Sequence, residues 1–189
     1  MKTVVIYKSR YGYTEKYAKC LSEKLNADLF EAAEIRSLDF SEYDTVIYGG
    51  GLYAGGINGL KNLKEIFGEI SEKNIVLFTV GLADPLVESN TDGIRLHIYR
   101  DFSQEMKERI KVFHLRGGID YSKLGLIHKS MMMMLKKSVE KKPENDRTQE
   151  DAEMLETYGE QVDFTDIGSL EPLVSYLKDL KLNKEPEHV

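Results

Sequence analysis

Short, almost uninterrupted apolar runs alternate with segments of helical period along the first 118 residues. No other feature narrows the fold as much. Thr3–Tyr7 is a continuous apolar strand candidate, and Tyr13–Leu25 sets Tyr17, Ala18, Leu21 and Leu25 on one helical stripe. Ala27–Ala32 reads as a weaker strand and Thr45–Tyr48 as a third. Asn58–Ile70 carries Leu60, Leu63, Ile66, Phe67 and Ile70 at helical spacing. Asn74–Val80 is the strongest strand, a helix is expected over Thr91–Lys107, and Val112–Leu115 makes a fifth strand. Strands joined by helices through short connections form βαβ units and a parallel sheet, and continuous apolar strands mean that both faces are covered. Such sheets bind ligands beyond the C-terminal ends of their strands, so the loops after strands one, three, four and five carry the functional question.

Composition closes off several classes. With 41% apolar and 31% charged residues in 189, the chain has a globular balance in one domain. The net charge of −6 argues against a non-specific nucleic-acid binder. Cys20 is the one cysteine, so no intrachain disulfide forms, and a reducing cytosol fits. His97, His114, His128 and His188 show no metal-ligand spacing, and no metal is expected. The N-terminus runs directly into a strand, which reads as no signal peptide, and the longest strongly apolar stretch, 75–83, is too short to span a membrane.

The loop after the first strand reads Ser9-Arg10-Tyr11-Gly12-Tyr13-Thr14-Glu15. A helix begins at once, and free N–H groups with the positive end of the helix dipole attract a phosphate. Ser9 and Thr14 add hydroxyl donors, and Gly12 permits close approach. A phosphate monoester suits the loop better than a triphosphate, since no lysine is built into it. An ordinary helix capped by Thr14 is the competing reading. After strand three, five glycines (49, 50, 51, 55 and 56) fall within the eight residues from Gly49 to Gly56, around Leu52, Tyr53 and Ala54. Such a loop lets backbone approach a flat ligand, the alternative being a merely flexible loop. A relaxed dinucleotide match at Gly49-x-Gly51-x-x-Ala54 is discounted, because no acidic residue ends a strand about 20 residues on. Gly81-Leu82-Ala83-Asp84 follows strand four.

Ser9-x-Tyr11-Gly12-x-Thr14 after an N-terminal strand resembles the phosphate loop of flavodoxins, with Tyr11 replacing a central hydroxyl residue. The resemblance implies a flavodoxin-like doubly wound sheet of five parallel strands, order 2-1-3-4-5, holding non-covalent FMN. It implies that Ser9, Arg10, Tyr11, Gly12, Tyr13 and Thr14 grip the phosphate. Gly50, Gly51, Leu52 and Tyr53 then flank one side of the flavin ring, and Gly81, Leu82, Ala83 and Asp84 the other. Tyr53 is the aromatic candidate at the ring.

About 70 residues follow Gly118, which divides the single domain into a sheet core, 1–118, and a helical extension, 119–189. The segment 123–142 holds six lysines and one acid, with four consecutive methionines at 131–134. Leu124, Ile127, Met131, Met132, Met134, Leu135 and Val139 share one face with His128, while Met133 falls among the lysines and is expected to be exposed. The methionines fit core filler or a soft docking surface, and one helix can serve both. Residues 143–166 then carry nine acids and one arginine, expected as a solvated face that partly neutralises the lysines. Ser169 is the expected cap of a closing helix. Arg116-Gly117-Gly118-Ile119-Asp120-Tyr121 followed by this helix is similar to menaquinone-dependent protoporphyrinogen oxidases. That implies an FMN oxidoreductase linked to a quinone or porphyrinogen. Its partner would be a quinone or redox protein, with a peripheral contact through 123–142 at the inner face of the membrane. A flavodoxin-type electron carrier and an FMN-free binding module are the alternatives.

Overall fold

The computed structural model describes residues 1–53 and 56–182. Ala54, Gly55 and His188, weighed above, lie outside the described residues. The chain runs β1 (Thr3–Lys8), α1 (Tyr13–Leu25), β2 (Asp28–Glu31), β3 (Thr45–Tyr53), β4 (Gly56–Ile57), α2 (Leu60–Ile70), β5 (Asn74–Gly81), α3 (Glu88–Asp101), α4 (Gln104–Arg109) and β6 (Ile110–Arg116). The extension adds β7 (Gly118–Asp120), α5 (Leu126–Glu140), α6 (Gln149–Glu156), β8 (Gln161–Asp163) and α7 (Glu171–Leu182).

The main sheet has the path β2-β1-β3-β5-β6, all parallel, which is the expected 2-1-3-4-5 order once the short β4 is counted. Alternation along each strand feeds two cores. Val4, Ile6, Val46, Tyr48, Ile75 and Leu77 pack with α2, α3 and α4. Val5, Ile47, Val76, Phe78 and Leu115 pack on the other face with Tyr17, Ala18 and Leu21 of α1 and Leu173, Val174 and Leu177 of α7. Cys20 is partly buried against this second core.

Three expectations change. Gly49, Gly50 and Gly51 are not loop residues. They continue β3 in register with Phe78, Thr79 and Val80. A Cβ at Gly49 would enter the Phe78 ring, and one at Gly50 would meet Ile57 and lie 2.7 Å from the Asn58 carbonyl oxygen. These glycines make room for the chain's own side chains and for the β3–β4 hairpin. The expected helix over Thr91–Lys107 is two helices, because the Ser103 hydroxyl accepts the Met106 N–H at 3.2 Å and starts α4 afresh. Ser169 does not cap α7. Its hydroxyl donates to the Asp166 carbonyl at 2.6 Å, inside a 3₁₀ turn that precedes the helix.

The extension returns to the sheet. β7 pairs antiparallel with β8, Gly118 opposite Asp163. The fully buried Tyr17 ties the join, donating its hydroxyl to the Arg116 carbonyl at 2.7 Å and accepting the Asp166 N–H at 3.1 Å.

Two alanine substitutions separate packing glycines from idle ones. Gly50→Ala should lower stability by about 1–3 kcal/mol, because the hairpin must move to admit the methyl group. Gly68→Ala, in the middle of α2 with nothing within 4 Å of the new Cβ, should raise it by about 0.5–1 kcal/mol. Urea unfolding of the two variants checks both signs.

Candidate functional site

A cavity of about 570 Å³ opens beyond the C-terminal ends of β5 and β6, beside the loop after β1. This volume is typical of a small-molecule site. The sheet contributes Val80, Gly81, Leu82 and Ala83 from the β5 side and Arg116, Gly117 and Gly118 from the β6 side. The phosphate-loop candidate contributes Tyr11, Tyr13 and Thr14, and β3 contributes Leu52 and Tyr53. Ser9, Arg10, Gly12, Gly50, Gly51 and Asp84 do not line it. Gly50 is turned toward Ile57 and Asn58, and Asp84 hydrogen-bonds the Leu86 N–H at 2.9 Å.

The local geometry of the loop decides between its two readings in part. Gly12, not Thr14, is the N-cap of α1, with φ of +93°, a conformation only glycine adopts without strain. No side chain caps the helix. The Ser9 hydroxyl accepts the Gly12 N–H at 3.1 Å and keeps its own proton free to donate. Thr14 is buried at the cavity wall with its hydroxyl not used as a cap.

The extension forms the opposite wall. α5 supplies His128, Met131, Met132 and Leu135, α6 supplies Glu150, Glu153 and Met154, and Phe164 follows β8. Two clusters hold this wall on the sheet. In the first, Tyr11 Oη and His128 Nδ1 share a 2.7 Å hydrogen bond. His128 also stacks on Tyr53, centroids 5.5 Å apart and planes 8° apart, and Tyr11 meets Tyr53 edge-on at 5.8 Å. Burial pushes the Tyr53 hydroxyl up to about 12, so it remains a donor at neutral pH. In the second, Arg116 donates Nε–H to the Leu82 carbonyl at 3.0 Å and pairs with Asp84 and Glu153. Its guanidinium lies 4.0 Å over the Phe164 ring. One side chain thus joins the β5 loop, α6 and the segment after β8.

Arg116, Gly117 and Gly118 line the cavity, and the only local signal for them is their place in the loop after the fifth strand. The acidic segment is not purely a solvated face. Glu153 pairs with Arg116, and Asp151 pairs with Lys142 at 2.7 Å, which gives the expected partial neutralisation a definite contact. The α5 apolar face is not uniformly buried either. Val139 is buried, whereas Ile127 and Met134 are exposed, and Met133 is exposed as expected. His114 is structural: it hydrogen-bonds Thr79 at 2.7 Å, and burial holds its imidazole down to about 4, so it is neutral at neutral pH. Among the described residues, no three His, Cys, Asp or Glu side chains are grouped to hold a metal ion.

Arg116→Lys keeps the charge but loses the planar fork, and should cost about 1–2 kcal/mol in urea unfolding. It should also speed limited proteolysis within 141–166 more than within the sheet. Equal sensitivity of both regions would show that Arg116 does not fasten the wall.

Comparison with known proteins agrees with this architecture. An uncharacterized protein of Methanocaldococcus jannaschii is 29% identical over 116 residues, covering 59% of this chain and 67% of that protein. A Trp repressor binding protein from Bacillus subtilis is similar in structure with a TM-score of 0.45 and 18% identity, covering 61% of this chain and 83% of the other. A Lactobacillus acidophilus flavoprotein solved in complex with FMN gives 0.42 and 14%, covering 61% and 91%. The profile described as a flavodoxin domain matches residues 4–146, from β1 through α5. On that match, the chain belongs to the flavodoxin-domain family.

Proposed function

We propose that the cavity holds non-covalent FMN and that the protein is a flavin-dependent oxidoreductase acting on a flat, largely apolar partner of quinone or porphyrinogen type. One observation carries this reading. Tyr11, Tyr13 and Thr14 at the start of α1 line the same cavity as Met131, Met132 and Met154 of the extension.

The residues present fit the cofactor. The uncapped start of α1 and the Thr14 hydroxyl at the cavity wall would receive a phosphate dianion, with the free Ser9 proton and the Arg10 charge on the same loop behind the cavity lining. Leu52, Tyr53 and backbone from Gly81 to Ala83 would flank the ring, with Tyr53 as a fixed hydroxyl donor. Once bound, FMN supplies reversible one- and two-electron chemistry. The chain's own work is positioning and exclusion of water. Arg116 fixes the β5 loop. His128 stacks on Tyr53, hydrogen-bonds Tyr11 and lines the cavity, which holds the aromatic cluster in place beside the ring site. Met131, Met132, Leu135 and Met154 give a soft apolar wall that adapts to a large planar molecule. A carrier serving only protein partners is the second reading. It rests on the family match, but the α5–α6 wall stands over the site where such a partner would need access.

Titration with FMN should shift the flavin absorption bands. Thr14→Val and Gly12→Ala should each weaken binding about tenfold, by a lost hydrogen bond and by strain at positive φ. No spectral change with the wild-type chain would reject the redox reading. Turnover of protoporphyrinogen with a quinone acceptor supports the enzyme, whereas reduction only through a partner reductase supports the carrier.

A further inference from the structure

Helix α5 serves the cavity with one side only. Val139 is buried, and His128 and Met132 line the cavity. On the other side Leu126, Ile127 and Met134 are 85%, 77% and 68% exposed. Met131 and Leu135 line the cavity and are also exposed, so they mark its rim. At 100° per residue, Met134 and Ile127 continue outward from that rim as one apolar stripe. No described residue covers it.

Charge is distributed unevenly over the same helix. Lys123, Lys136 and Lys142 are paired with Asp120, Glu140 and Asp151. Lys129, Lys137 and Lys141 have no ion-pair partner among the described residues and are exposed. A chain of net charge −6 therefore keeps Lys137 and Lys141 unneutralised beside strongly exposed apolar side chains. A second copy does not suit this surface, because two such helices face to face would bring like charges together. An anionic bilayer matches both properties, with apolar side chains entering the headgroup boundary and lysines meeting lipid phosphates.

We propose that α5 docks on an anionic lipid surface through Leu126, Ile127 and Met134, with Lys137 and Lys141 against the headgroups. Docking sets the cavity rim, Met131 and Leu135, at the lipid boundary. A substrate entering there is lipid-soluble, and this last consequence rests on the redox reading above. The docking itself does not.

The test uses the full chain, with and without added FMN, sedimented with phosphatidylglycerol–phosphatidylcholine vesicles and with pure phosphatidylcholine vesicles. Binding to the anionic vesicles only, released by salt, is expected. Ile127→Gln with Met134→Gln should lower the partition coefficient about tenfold with unchanged thermal melting. Each of Lys137→Gln and Lys141→Gln should lower it roughly fivefold. Absence of sedimentation, equal binding to neutral vesicles, or indifference to the substitutions overturns the proposal. So does a dimer in solution that the same substitutions dissociate. Flavin absorbance recorded on the same samples reads the cofactor assignment separately.

Discussion

The chain leaves the sheet at Gly117–Gly118 through a passage with no room for a side chain. A Cβ at Gly117 would lie 2.6 Å from Val80, and one at Gly118 would lie 2.7 Å from the Tyr13 ring and collide with the Val162 carbonyl. That closeness allows β7 to pair with β8 at the edge of the site. The Gly117 carbonyl also accepts the Phe164 N–H at 3.0 Å, and the Gly117 N–H donates to the Gly81 carbonyl at 2.7 Å. Both ends of the segment that carries α5 and α6 are therefore held at the C-terminal edge of the sheet, within reach of the cavity.

The contacts then fix the details. Arg116 immediately precedes the passage and reaches the β5 loop, α6 and Phe164 at once, so the sheet edge and the wall share one anchor. Tyr11, Tyr53 and His128 give a second anchor at the other end, on the phosphate-loop side. The α5–α6 wall therefore stands over the cavity at the C-terminal ends of the strands and is fastened at both ends.

The sheet order and both cores were legible because parallel strands buried on two faces write themselves as continuous apolar runs. The loop after β1 was legible for a similar reason: hydroxyls, a glycine and a helix start sit within six residues. Other parts depended on partners far along the chain. Gly49 and Gly50 read as ligand clearance, but sequence cannot distinguish room for a ligand from room for Phe78 or Ile57. The Tyr11–His128 bond joins positions 117 residues apart, and the pairing of Gly118 with Asp163 crosses the whole acidic segment. No local period encodes either contact. The break between α3 and α4 did carry a local signal, the Ser103 cap, which the apolar spacing around it concealed.

If the loop after β1 and the α5–α6 wall form one binding site, FMN must act on both. Hydrogen–deuterium exchange with and without FMN should therefore show slower exchange both in 9–15 and in the distant wall segments 126–135 and 150–157. Protection confined to 9–15, with α5 and α6 unchanged or loosened, would contradict a shared site.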